Sequence, residues 1–243
     1  MQPMVLIQDL KKNYGKKEAV RGIDLRIPAG ELFVLVGPNG AGKTTTLKML
    51  VGLLKPTSGN IQIGGIDLAK DPAAAKALIS FVPDTAYVYE KLTPWELIRF
   101  VGKLYDLAPD VIQQRGEELL RFFSLEDVQD VLIEEFSHGM RQKAILAISL
   151  LHDPKLFILD EPMVGLDPLS IKTFKDFLRE KARGGMTIVF STHTLSMAEE
   201  LADRIAIINR GTLVALGTME ELKHEYGSHE NLEHMFMKLV QQK

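Results

Sequence analysis

The sequence predicts an α/β protein in which buried parallel strands are linked by helices, with antiparallel strands at the N-terminal end and an all-helical insert in the middle. Three observations predict it. L-F-V-L-V (32–36), L-F-I-L-D (156–160) and T-I-V-F-S (187–191) are continuous apolar runs, the pattern of strands covered on both faces. A helical pattern near 169–182 separates the last two, and that spacing implies a parallel crossover. Between about 84 and 150 strand patterns vanish and helical ones dominate.

Taken in order, V-L-I (5–7) and I-D-L-R-I (23–27) read as short strands with N-Y-G (13–15) turning between them. After the 32–36 strand come a glycine-rich loop and a helix near 43–53. N-I-Q-I, G-G, I-D-L (60–68) is a hairpin with a two-residue glycine turn. Helices are expected at 94–106, 111–123 and 138–152, and a final hairpin at 205–209 and 212–216 around Arg210-Gly211. Leu232, Met235, Phe236 and Leu239 recur at helical spacing. They predict an amphipathic tail helix that either docks on its own domain or binds a partner.

Composition removes several classes of function. The chain has 243 residues, 46% apolar and 25% charged, as an ordinary globular protein does. A formal net charge of −3 supplies no basic field, so no nucleic-acid partner is expected. The absence of cysteine excludes disulfides and thiolate metal sites, and it fits a reducing cytosol. M-Q-P-M-V-L-I-Q-D lacks the layout of a signal peptide. The longest apolar stretch, near 144–151, falls far short of the roughly 20 residues that span a bilayer, so no direct membrane insertion is expected.

G-P-N-G-A-G-K-T (37–44) matches G-x-x-x-x-G-K-[ST], follows a buried strand and opens a helix. In that setting the loop Gly37, Pro38, Asn39, Gly40, Ala41 and Gly42 is placed to bind nucleotide, its glycines letting the backbone curl so that N–H groups face phosphate oxygens. The helix N-terminus adds partial positive charge. Lys43 is then placed on the β- and γ-phosphates, Thr44 on Mg²⁺ and Thr45 near a phosphate. Asp160, at the end of an apolar strand, is the natural second Mg²⁺ partner. Glu161 beside it can polarise an attacking water as a general base. Together these residues predict hydrolysis of a nucleotide, not binding alone.

With F-S-H-G-M (136–140), G-L-D (165–167) and S-T-H (191–193) added in that order, the chain resembles the ATP-binding subunit of an ABC transporter over essentially its whole length. The resemblance implies one ABC ATPase domain over 1–243 with a P-loop NTPase core. Its α/β ATP-binding core would cover about 1–83 and 151–228, with a helical signature subdomain at about 84–150 and a C-terminal helix at about 229–241. It implies ATP and Mg²⁺ as ligands, a second ABC ATPase subunit, and an integral membrane transporter subunit as partners. The expected location is the cytoplasmic face of the membrane, reached through that subunit. F-S-H-G-M-R-Q-K looks more like exporter-type ATPases than importer-type ones.

The resemblance also assigns roles. Phe136, Ser137, His138, Gly139 and Met140 stand for the L-S-G-G-Q signature, which faces ATP held by the opposite subunit; Ser137 would also cap its helix. Phe136, His138 and Met140 depart from that pattern, and His138 adds bulk beside the phosphate. Tyr14 would stack on adenine, or else be a surface turn residue. His193 would bond the γ-phosphate, and Asp167 would line the dimer interface. Asp84, in S-F-V-P-D (80–84), stands where the family carries Gln or Glu, and is a further Mg²⁺ ligand candidate. Tyr87, Tyr89, Leu92 and Trp95 are either the core of the insert or a groove for a short helix of the membrane subunit. His224, His229 and His234 read as surface residues. Two other readings compete with a transport motor. A soluble ABC-type ATPase outside transport would share every motif. A P-loop GTPase or kinase would leave 136–140 unexplained, and the chain lacks an N-K-x-D-like guanine reader.

Overall fold

In the computed structural model, which describes residues 2–85, 87–163, 165–226 and 231–241, the N-terminal strands are longer than their apolar cores. Strands β1 (Val5–Tyr14) and β2 (Lys17–Ile27) pair antiparallel, with register shifts between Ile7 and Leu10 and between Lys12 and Asn13. Bulges break strict alternation and so hide the polar extension of each strand from a pattern search. After β3 (Leu32–Val36) and helix α1 (Lys43–Leu50), β4 (Ser58–Ile63) and β5 (Ile66–Asp67) complete a four-stranded sheet ordered β2-β1-β4-β5. Gly64 and Gly65 both have positive φ, as the two-residue hairpin turn requires.

The second sheet carries the site. Its other strands are β6 (Ile79–Val82), β7 (Leu156–Asp160), β8 (Thr187–Thr192), β9 (Arg204–Asn209) and β10 (Thr212–Gly217), in the order β10-β9-β3-β8-β7-β6. Only the β9–β10 pair is antiparallel. Alternate side chains enter two separate cores. Leu32, Val34, Phe157, Leu159, Ile188 and Phe190 join the helical side, whereas Phe33, Leu35, Leu156, Ile158 and Val189 join the side covered by β1, β2 and α1. Burial on both faces is why these strands read as unbroken apolar runs.

Between β6 and β7 lie α3 (Pro94–Leu104), α4 (Pro109–Phe122) and α5 (His138–Leu150). Thr93 starts α3 with a capping box, its hydroxyl accepting from Glu96 N and Glu96 returning a bond to Thr93 N. A side chain on Gly116 would stand 2.7 Å from the Trp95 ring, so glycine lets α4 lie against that indole. Trp95 and Leu92 pack against the core, the first of the two readings, although Leu92 also borders a surface groove. Tyr87 and Tyr89 do not: they are 96% and 63% exposed, which removes them from the core of the insert.

Helix α6 (Pro168–Arg183) links β7 to β8. Three short helices gave no usable period in the sequence: α2 (Pro72–Ala77), α7 (Leu195–Leu201) and α8 (Met219–Tyr226). Tail helix α9 (Leu232–Gln241) docks on its own chain. Leu232 and Met235 are fully buried, Phe236 and Leu239 pack against them, and Asn209 Nδ2 donates to the Val240 carbonyl at 3.3 Å. His224 and His234 are exposed, and His229 lies outside the described residues. Among the described residues no helix is long and apolar enough to cross a membrane.

Candidate nucleotide site

The tips of β3, β7 and β8 meet at one end of the larger sheet. From β3 the chain turns through Gly37–Gly42, with Gly40 and Gly42 at φ 77° and 113°. A side chain on Gly42 would stand 2.7 Å from the Ala19 carbonyl, so that turn needs glycine on two counts. Lys43 is buried and donates from Nζ to the Gly37 and Pro38 carbonyls at 2.7 and 3.3 Å. Burial pulls its pKa down, while the carboxylates of Glu161 and Asp160 push it back up. Thr46 Oγ1 anchors the helix start on the Gly42 carbonyl at 2.9 Å. A cavity of about 240 Å³ is lined by Tyr14, by Pro38 through Thr45, and by Asp84, Asp160 and Glu161. Tyr14 is half exposed at its mouth, with Lys12 Nζ 5.3 Å from the ring centroid.

Opposite Lys43 stand the two acids. Asp160 is 2% exposed; Ser191 Oγ donates to its Oδ1, while Oδ2 is buried without a partner among the described residues. A buried carboxylate oxygen without a partner among the described residues, on an acid that lines a polar cavity, fits a cation or its water, since burial unpaired is costly. Among the described residues no group of three or more His, Cys, Asp or Glu side chains could hold a metal. An ion here therefore needs a hydroxyl and oxygens of a bound ligand as well, and Thr44, on the same cavity, offers the hydroxyl. Glu161 adopts φ +50°, and its N–H donates to the Ser191 carbonyl at 3.1 Å. Its side chain is held from two sides. His193 Nδ1 donates to Oε1 at 2.9 Å and Thr192 Oγ1 donates to Oε2 at 3.2 Å.

The signature segment lies elsewhere: no residue of 136–140 lines the phosphate-loop cavity. Ser137 caps α5 by accepting from Met140 N at 3.3 Å. Phe136 is buried and Met140 half-buried in the insert's core, and apolar residues suit both places. His138 is exposed, and its ring occupies the space that a side chain on Gly165 would need. Asp167 caps α6, accepting from Ser170 N at 2.9 Å and from the Ser170 hydroxyl; these bonds hold its carboxyl below the usual range. Asp84 is exposed, accepts from Thr85 Oγ1 at 3.0 Å, and borders both the nucleotide cavity and a groove of about 1250 Å³. Tyr87, Tyr89, Phe100, His138 and Arg141 line that groove. Sequence reasoning missed Ser191 and Thr192 as partners of the acids. It also missed Arg141, which bonds Glu90 Oε1 at 2.8 Å, and the buried Gln142. The parallel register, which sets Asp160 opposite Ser191, is the signal that finds the first of these.

The ABC transporter family model matches residues 20–164, more than half of the chain. The chain is 39% identical to the linearmycin resistance ATP-binding protein LnrL of Bacillus subtilis (strain 168), over 92% of this chain and 72% of that protein. It is 31% identical to the ABC-type transporter ATP-binding protein EcsA of the same organism, over 98% of this chain and 97% of that protein. A solved structure of an ATP binding subunit of an ABC transporter superposes with a TM-score of 0.93 at 33% identity, covering 98% of this chain and 100% of that one. Sequence, sheet order and site geometry converge with these likenesses, and the chain belongs to the ABC transporter family as an ATP-binding subunit.

Proposed function

We propose that this subunit hydrolyses ATP and that two such subunits, pairing head to tail around two ATP molecules, drive export through a separate membrane protein. The observation that carries the proposal is the pair of acids at the β7 tip. Asp160 keeps one buried oxygen unpaired beside the phosphate loop, and Glu161 is oriented by His193 and Thr192 at the same cavity. Tyr14 stacks on adenine, the 37–42 backbone and Lys43 hold the phosphates, and Thr45 supports them. Thr44 and Asp160, with Asp84 at the edge, would hold Mg²⁺, which would offset the negative charge of the phosphates. Glu161 takes a proton from a water attacking the γ-phosphorus, and the bond to the β–γ bridging oxygen breaks to release ADP and phosphate. His193 holds that water and the γ-phosphate in line.

Head-to-tail pairing is supported by the place of Ser137. It is exposed and caps a helix outside its own nucleotide cavity, and a helix N-terminus suits an anion supplied by another subunit. Asp167 would lie along that junction. The groove bordered by Asp84 is the surface for a short helix of the membrane subunit, which would place the ATPase on the cytoplasmic face. Likeness to a linearmycin resistance protein supports the export direction. Glu161→Gln tests the whole scheme: turnover should drop by about a thousandfold, as loss of a general base and its positioning does, while ATP binding persists and dimers accumulate. Rapid turnover in this variant, or a strict monomer with saturating ATP, would overturn it.

A further inference from the structure

Gln142 is 7% exposed, in the helix that Ser137 caps. A buried amide needs partners, and its Nε2 donates to the Pro162 carbonyl at 3.3 Å. Pro162 directly follows Glu161. As a proline it has no N–H to give, so its carbonyl is the backbone handle there. The same loop touches α5 again one turn earlier. The His138 ring packs on Gly165, and a side chain on Gly139 would meet the Gly165 carbonyl at 3.2 Å. One helix therefore presents Ser137 outward and grips the backbone behind Glu161 inward.

We propose that Gln142 is a positioning residue. It ties the Ser137-capped helix to the segment bearing Glu161, so that ATP held by the opposite subunit aligns the base of this subunit's own site. This rests on the head-to-tail pairing proposed above. Ser137 and Gln142 are five residues apart, about 7.5 Å along a stiff helix, so a shift at the N-terminus reaches Gln142 undiminished. Displacing a reacting group by about 1 Å can cost about a hundredfold in rate, so a small movement is enough.

Gln142→Leu keeps the bulk and removes the donor; Gln142→Glu keeps the shape and presents a carboxylate to the carbonyl. In the full-length chain, both should lower kcat by about tenfold or more, leave the KM for ATP within about twofold, and bring the Hill coefficient of ATP hydrolysis toward one. In the Glu161→Gln background, ATP-driven dimerisation should persist at an unchanged ATP concentration. Thermal melting of either variant within a few degrees of the parent separates this outcome from simple unfolding. Unchanged kcat and Hill coefficient in both variants overturns the proposal. So does a loss of activity that merely follows a loss of dimer or of folded protein, and so does a parental Hill coefficient of one in a protein that dimerises normally. If Glu161→Gln with Gln142 intact fails to dimerise, the pairing itself falls, and the relay falls with it.

Discussion

Asp160 shows how one side chain can be set for a ligand by what it lacks. Among the described residues Ser191 satisfies Oδ1 and nothing satisfies Oδ2, although both are buried. Ser191→Ala would leave the whole carboxylate without a protein donor, and should cost about 1–3 kcal/mol of stability. Chemical denaturation should show a lower midpoint with an unchanged slope. Saturating Mg²⁺ with ATP should restore part of the difference, because a ligand that binds only the folded state stabilises it. No change in midpoint would mean that water already replaces the hydroxyl. At this scale the sequence marked most residues that line the phosphate-loop cavity, because a phosphate loop and an acid pair are written in consecutive letters. It did not disclose Ser191, Thr192 or Gln142. Those act across strand register or between elements, where one-dimensional spacing carries no signal.

The join between the helical insert and the larger sheet turns on His152, just past α5. Its ring stacks on Tyr105 with centroids 3.9 Å apart and planes 9° apart, and Nε2 donates to the Ile79 carbonyl at 3.2 Å. Nδ1 is buried without a partner among the described residues. Burial lowers the imidazole pKa; the Ile79 carbonyl and Asp153 oppose the shift and Arg115 adds to it, while Lys76 lines the same cavity. The folded state thus prefers the neutral ring. The unfolded chain takes up the proton below about pH 6.5. This contribution to stability is full above that pH and is lost as the pH falls below it. Melting temperature should fall between pH 7 and pH 5, and the fall should shrink in His152→Phe, which keeps the stack. Equal slopes in the two proteins would exclude this histidine as the source. Long elements such as α5 and β7 were legible because three or more turns, or a full buried strand, repeat their pattern. Helices α2, α7 and α8 were not, since six to eight residues hardly complete two turns.

At the scale of the whole molecule, function depends on surfaces that this chain leaves bare. Tyr89 is largely exposed and meets Phe100 edge-on, with centroids 5.4 Å apart, at the groove beside Asp84. Tyr89→Asp should fold and bind ATP normally, yet reduce copurification with an integral membrane protein in detergent by about tenfold, the loss of one aromatic anchor. Undiminished copurification would place the docking surface elsewhere. Trp95, which sequence pattern set beside Tyr89, is a poor probe of docking because it is wedged against α4. The larger sheet has a last consequence. By sending alternate side chains into separate cores it works as a bulkhead, with β1, β2 and α1 on one side and the helical insert on the other. Lys43 and Asp160 line the cavity at its edge, so a ligand there sits on the rim of the bulkhead.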